Sequence, residues 1–542
     1  MPFHSETSPG DATHVDAVVI GAGFSGLYML HRLRGLGLSA RVYETGEDVG
    51  GTWYWNRYPG ARCDVESVYY SYSFSRELEQ EWEWSRRYPD QPEVLAYLGH
   101  VADRFDLRRD IQFGTTVTAA TFDEARNDWS VHTDRGDAVR ARFLITAVGC
   151  LSATNVPDIP GLETFSGEWY HTGAWPHEGV DLRGKRVGLV GTGSTGIQAT
   201  PVIADEAAHL TVFQRTPNFT VPAQDGPLEA TAVRELKTRY PEIRENARHS
   251  FVGLPVDYSE TSAFEVTPEE REKVYEAGWR RGGFYFLFES FQDLLVDQTA
   301  NDTAAEFVRS KIRGIVEDPE TAELLSPRDH PYGTKRPPLD TKYYETFNRD
   351  NVTLVDVRTW PIQAITPTGI RTANGSFDLD VIVFATGFDA MTGTLAKIDL
   401  RGRGGRSLAE KWEAGPRTYL GLGIAGFPNL FTITGPCSPS VLSNMVVSIE
   451  QHVDWISDCI DHMAREGHTR IEATEVAEEA WVDHTNEAAD ATLYPRANSW
   501  YLGANIPGKT RVFMPYVGGV GTYRQICDEV AARGYEGFAL GT

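Results

Sequence analysis

Two glycine clusters hold the first chemistry legible in this chain. Gly21-Ala22-Gly23-Phe24-Ser25-Gly26 follows a β-rich run, Val15 to Ile20, and opens an amphipathic stretch with Leu27, Leu30 and Leu33 on one face. Gly191-Thr192-Gly193-Ser194-Thr195-Gly196 follows Val187 to Val190 and opens a second helical stretch towards Ala208. A glycine turn between strand and helix frees backbone N–H groups, and the helix dipole adds partial positive charge, so each turn suits a pyrophosphate. The residues that end the next strand differ in sign. Glu44 follows the run Ala40 to Tyr43, where a carboxylate accepts hydrogen bonds from a ribose diol and repels a 2′-phosphate. Arg215, with Thr216 next, follows Leu210 to Phe213 at the matching place, where a cation suits a 2′-phosphate. One nucleotide lacking the 2′-phosphate and one carrying it imply FAD and NADPH, hence hydride transfer to a flavin. No C-x-x-C lies near either unit, which removes disulfide reduction as the next step and leaves oxygen as the common acceptor.

Both turns need sheets to hold them. Each unit reads as strand, turn, helix, strand. Two further strands end alike, Phe143 to Thr146 before Ala147-Val148-Gly149 and Val381 to Phe384 before Ala385-Thr386-Gly387, and they read as places where the chain re-enters one sheet after an excursion. Asn374-Gly375 signals a hairpin. The segment NVPDIPG at 155–161 is a Pro/Gly-punctuated connection and a domain boundary. From about Thr231 to Leu325 the pattern turns charged and helical. The expected fold is α/β, with two dinucleotide-binding, Rossmann-like domains for FAD and NADPH and a helical insertion. The expected division gives 1–150 and 381–542 to the FAD-binding domain, 151–225 and 331–380 to the NADP-binding domain, and 226–330 to the insertion.

A chain of 542 residues exceeds the usual size of a single domain several-fold. Charged residues make up 23% and hydrophobic ones 41%, which excludes a disordered or collagen-like protein. Lys and Arg number 51 against 76 Asp and Glu, a net charge of −25 that repels phosphate backbones and anionic membrane surfaces. Nucleic acid and lipid are therefore poor partners. Five scattered cysteines, odd in number and never spaced as C-x-x-C, argue against a disulfide framework or a zinc site and fit a reducing cytosol. The first fourteen residues are polar and no apolar run approaches a membrane span, so a soluble, cytoplasmic protein is expected.

The segment FSGEWYHTGAWP at 165–176 resembles the F-x-G-x-x-x-H-x-x-x-W-P fingerprint of type I Baeyer–Villiger monooxygenases, and it sits between the two nucleotide units as in that family. The resemblance runs through GGTWYWNRYPGARCD (50–64), FQRT (213–216), Lys335-Arg336, FATGFD (384–389) and SWYLGANIPG (499–508). SPSVLSNM (438–445) is similar to the phenylacetone and steroid branch, whereas GGFYFLFESF (282–291) is similar to the cyclohexanone enzymes. The resemblance implies a flavin C4a-peroxide that attacks a ketone carbonyl, with dioxygen as co-substrate and an ester or lactone as product. It implies that Arg336 is the essential arginine, that Asp64 positions it, and that Arg215, Thr216 and Lys335 contact the NADP phosphate. It further implies flavin contacts from Thr52, Trp53, Asp64, Tyr70, Val117 and Met445. NADP contacts are implied for Arg62, Gln198, Arg336 and Trp500. The resemblance allows a monomer.

The arginine's role makes physical sense, because a peroxyanion and a tetrahedral adduct both carry negative charge and a guanidinium is a permanent cation with forked donors. Each assignment has a plainer rival. Arg336 is also the kind of residue that forms surface ion pairs, Asp64 the kind that caps a helix or turn, and the Trp53, Tyr54, Trp55 cluster the kind that packs a core. His171 invites a general-base role; in the family it belongs to a linker between domains, so it is left out of the catalytic set. Two other functions stand beside the leading one: a flavin monooxygenase that oxygenates nitrogen or sulfur, and a non-catalytic flavin and NADP(H) redox sensor.

Overall fold

The computed structural model describes residues 13–542 and builds them around two sheets, each carrying one of the glycine turns. In the first, Thr13–Ile20 lies between Ala40–Tyr43 and Ala138–Thr146, parallel to both. Ile111–Gln112 extends one side; Asp128–Thr133, Val117–Asp123 and Asp399–Arg401 extend the other. Leu430–Thr432 returns from late in the chain to pair with Ala138–Thr146, Leu430 opposite Leu144. The Val15 to Ile20 run is apolar almost without alternation because a parallel strand is covered on both faces. Leu27, Leu30 and Leu33 of helix Phe24–Gly35 are fully buried, as their spacing predicts. That helix packs on Met445–Glu466, tied by a 2.6 Å hydrogen bond from the Tyr28 hydroxyl to Asp454.

The second sheet is wholly parallel, in the order Val352–Asp356, His209–Gln214, Arg186–Val190, Val381–Phe384, Glu168–His171. This corrects the expected boundary at residue 380. Val381–Phe384 pairs with Arg186–Val190 on one side and Glu168–His171 on the other, so the sheet of the second glycine turn extends past that point. The similar endings of Phe143 to Thr146 and Val381 to Phe384 do not mark returns to one sheet. They belong to different sheets, and each is the strand beside a glycine turn. The polar amino-terminal segment lies almost entirely outside the described residues.

The expected hairpin forms at Asn374-Gly375, pairing Gly369–Thr372 with Gly375–Asp378. Between the second-sheet strands His209–Gln214 and Val352–Asp356 the chain forms the helices Ala230–Thr238, Tyr240–His249, Pro268–Arg281, Gln298–Ile315 and Pro319–Leu325. Tyr240–His249 docks on the first unit through Arg244. Its guanidinium meets Glu79 at 2.8 Å and Ser71 Oγ at 2.8 Å, with the two charged side chains only 7% and 6% exposed. Val252 and Leu254 follow at once and are buried against the first unit. Among the described residues no helix is long and apolar enough to cross a membrane, and all five cysteines are free and buried.

Removing one member of a buried ion pair strands the other charge. Glu79→Ala is therefore expected to lose about 3 kcal/mol of stability, read as a lower thermal midpoint by circular dichroism. An unchanged midpoint would show that the pair does not hold the insertion.

Candidate functional site

The two glycine turns are near copies. Gly21 has φ +104°, and a Cβ there would lie 2.6 Å from the Ala147 carbonyl oxygen; Gly191 has φ +111° and the corresponding distance to Ala385 is 2.5 Å. A Cβ on Gly26 or Gly196 would stand 1.8 or 2.2 Å from the carbonyl oxygen of Gly21 or Gly191. The first and last glycines are thus demanded by the chain's own packing. The middle ones face outward: a Cβ on Gly193 meets nothing within 4 Å, and one on Gly23 meets only the loop at Gly50 and Gly51. Neither following helix, Phe24–Gly35 or Ser194–Glu206, has a capping side chain. Gln91–Arg104, Pro268–Arg281 and Gln298–Ile315 do, from Asp90, Thr267 and Asp297. First-turn N–H groups left without a side-chain acceptor, beside an open glycine, fit a pyrophosphate at each turn.

Around the first turn, Glu44 is 5% exposed. Its carboxylate accepts the N–H groups of Ala22 and Gly46, both at 2.7 Å, so it braces the glycine loop and keeps acceptor capacity for a ribose. Burial pushes the Glu44 carboxyl up, and those N–H groups offset only part of that rise. Ser25 is buried in the first helical turn. Thr52 and Trp53 sit on the short helix Thr52–Trp55, whose preceding Gly50 donates its N–H to the Ala22 carbonyl at 3.1 Å. The Trp53 indole donates to the Tyr70 hydroxyl at 3.2 Å, and both rings are buried. Met445 opens helix Met445–Glu466 behind the capping Asn444. Val117 lies buried in the apolar core of the first sheet.

At the second turn, the Thr192 hydroxyl donates to the Thr216 carbonyl at 2.9 Å. Arg215 is exposed at the strand end. Burial lowers the Lys335 ammonium; Asp329 opposes this, and the cations Arg215 and Arg358 lower it further. Sequence reasoning missed Arg358: it follows a different strand, and only sheet register brings it to Arg215. Gln198 and Arg62 serve first as a joint between the units. The Gln198 amide accepts from the Tyr58 hydroxyl at 2.7 Å and donates to the Arg62 carbonyl at 3.1 Å. The Arg62 guanidinium pairs with buried Asp225 at 2.8 Å.

Arg336 lies where the segments meet. Its Nε and Nη2 donate to the two Asp64 oxygens at 2.5 and 2.9 Å, and Nη1 donates to the Val441 carbonyl at 2.8 Å. The guanidinium carbon stands 4.6 Å from the centroid of the Phe284 ring. Burial works against the charge, but Asp64 outweighs it and holds Arg336 above even its ordinary high value. A guanidinium has five N–H donors, so the chain leaves two uncommitted. Arg336 is the one charged residue among those lining a cavity with Leu254, Phe284, Leu287, Leu442 and Tyr501. Tyr501 was not foreseen as a wall residue; its ring centroid lies 4.4 Å from that of Trp500. His171 is buried, its Nδ1 accepting the Gly173 N–H at 3.0 Å, and it stays outside this cavity.

Two nucleotide-binding units joined at a partly buried arginine define a flavoprotein oxidoreductase that also binds a pyridine nucleotide. Comparison with known proteins narrows the class. Residues 15–222 match the family model "FMO-like: Flavin-binding monooxygenase-like". A Baeyer–Villiger monooxygenase of Pseudooceanicola batsensis is 48% identical, with 99% of this chain and 98% of that protein covered. The solved structure of oxidized steroid monooxygenase bound to NADP is similar at 56% identity and TM-score 0.94, covering 98% of this chain and all of that one. A structure of OTEMO in complex with FAD and NADP is similar at 43% identity and TM-score 0.95, over 98% and 100% of the two chains. The chain belongs to the Baeyer–Villiger monooxygenases, and FAD and NADP are its cofactors.

The glycine geometry separates folding from binding. Gly193→Ala is expected to keep its thermal midpoint yet bind NADP⁺ at least about tenfold more weakly, because its methyl group enters the open side of the turn. Gly196→Ala is expected to lower the midpoint itself. Calorimetric titration with NADP⁺ and thermal unfolding distinguish the two.

Proposed function

We propose that the enzyme converts uncharged, largely apolar ketones to esters or lactones, with Arg336 as the catalytic residue and Asp64 as the residue that positions it. The observation that carries this reading is a guanidinium forked onto a carboxylate, with two donors to spare, in a cavity otherwise apolar or neutral. Bound flavin supplies hydride acceptance from NADPH and activation of dioxygen. The chain's part is electrostatic and steric. As the ketone carbon becomes tetrahedral its oxygen gains negative charge, and donors already oriented towards that oxygen stabilise it without reorganising. Asp64 cancels much of the local net charge, so the direction of the remaining Arg336 donors matters more than the field of an isolated cation. Phe284 and the Val441 carbonyl restrict the plane of the guanidinium further. The absence of a second charged wall residue, among those described, favours a neutral substrate.

The same reading gives the flavin pocket Gly21, Gly23, Ser25, Gly26, Glu44, Thr52, Trp53, Asp64, Tyr70 and Met445. Val117, which opens strand Val117–Asp123 with its side chain in the core of the first sheet, joins this pocket through its backbone. The NADP pocket takes the 191–196 turn, Arg215, Thr216, Lys335, Arg336 and Trp500, with Gln198 and Arg62 as the joint beside it. The flavin-binding domain then comprises the segments before residue 150 and after about residue 390, and the NADP-binding domain those on either side of the insertion.

Arg336→Ala is expected to retain NADPH-dependent flavin reduction in a stopped-flow experiment while ester formation falls by about 10²- to 10³-fold, the usual cost of one lost oxyanion donor. Normal ester yield would refute the role. A product-resolved panel of small cyclic, large cyclic, aryl and steroid ketones, run under labelled dioxygen, tests the reaction class. Nitrogen or sulfur oxides without any ester would select the alternative flavin monooxygenase chemistry.

A further inference from the structure

The sheet that carries the second glycine turn ends in more positive charge than Arg215 and Lys335 supply. Strand Val352–Asp356 runs parallel to His209–Gln214, with Asp356 opposite Gln214. The chain then turns sharply: the Val357 N–H bonds the Gln214 carbonyl at 2.9 Å, and the Asp356 carboxylate accepts the Arg358 N–H at 2.9 Å. That register puts Arg358 alongside the two residues that follow Gln214. Its Nε donates to the Arg215 carbonyl at 3.1 Å and its Nη2 to the Thr216 hydroxyl oxygen at 3.3 Å, while the guanidinium also pairs with Asp329.

Three features make this more than a surface ion pair. Arg358 pairs with Asp329 and reaches the Arg215 backbone, and Lys335 feels Asp329 and both arginines; counting Asp356, three cations stand against two carboxylates, a local positive excess in a chain whose net charge is −25. The Arg358 side chain is 51% exposed, so it remains open to a ligand. The bond from Arg358 also fixes the Thr216 oxygen as an acceptor, which leaves the Thr216 proton free to donate elsewhere. Cations crowded together at the end of a nucleotide-binding strand, with a hydroxyl proton available beside them, are the complement of a phosphate dianion.

We infer that Arg358 contacts the 2′-phosphate of NADP together with Arg215, Thr216 and Lys335, and that it contributes to the preference for NADPH over NADH. The inference rests on the phosphate role proposed above for those three residues. Adenosine 2′,5′-bisphosphate and adenosine 5′-monophosphate differ only in the 2′-phosphate, so titrating both into the FAD-loaded protein by calorimetry isolates that group. Arg358→Gln is expected to weaken the bisphosphate about tenfold and leave the monophosphate unchanged. In turnover it should raise KM for NADPH at constant kcat and lower the NADPH-to-NADH ratio of kcat/KM by a similar factor. Undiminished bisphosphate binding in Arg358→Gln, alongside a loss in Arg215→Ala, would overturn the role of Arg358 alone. Equal weakening of both nucleotides would also overturn it, since that marks a structural residue. No loss in either variant would bring down the phosphate site as a whole.

Discussion

The pairing of Arg336 with Asp64 is the contact on which the rest of the molecule converges. Asp64 comes from a loop of the first unit, Arg336 from the segment that returns after the helical insertion, and the Val441 carbonyl from the approach to helix Met445–Glu466. A largely buried ion pair is a poor source of stability, because desolvation consumes most of the Coulombic gain. Orientation is what it secures. Three directed hydrogen bonds and an aromatic face leave the guanidinium little freedom, and its remaining donors meet the cavity only if all these segments are docked.

That docking is achieved by polar joints between elements that are each apolar inside. Gln198 bridges the NADP helix to Tyr58 and Arg62, and Arg244 ties the insertion to Glu79 and Ser71. Both joints sit next to functional surface. Gln198 lies on the helix that begins at the second glycine turn, and Arg244 is followed by Val252 and Leu254, which form part of the cavity wall. The interfaces between units therefore set the geometry of the site as directly as the residues that line it.

Charge is organised locally against the overall balance. Screening in physiological salt confines a charge's influence to roughly 8 Å, so a positive cluster at Arg215, Lys335 and Arg358 persists in a strongly acidic protein. The excess acid discourages polyanions from the general surface, while the second strand end keeps a local excess of cations. The first strand end shows the opposite choice. Glu44 is buried among backbone N–H groups, and its carboxylate leaves no room for a second anion.

The sequence alone was enough to read both nucleotide units, the opposite charges at Glu44 and Arg215, the hairpin at Asn374-Gly375 and the buried face at Leu27, Leu30 and Leu33. These are local: a turn, a period or a strand end is written within a few neighbouring residues. The matched Lys335-Arg336 and Asp64 segments also named the central pair. What local pattern could not contain was any relation set by sheet order or docking. Val381–Phe384 joined the NADP sheet because parallel pairing, not proximity in sequence, decides where a strand lies. Arg358 reached Thr216 because the strand before it aligned with His209–Gln214 from far along the chain. Tyr501, Leu254 and Phe284 became one cavity wall only when three distant segments packed together. Pairing register and side-chain packing are long-range interactions, and they exist only once the chain has folded.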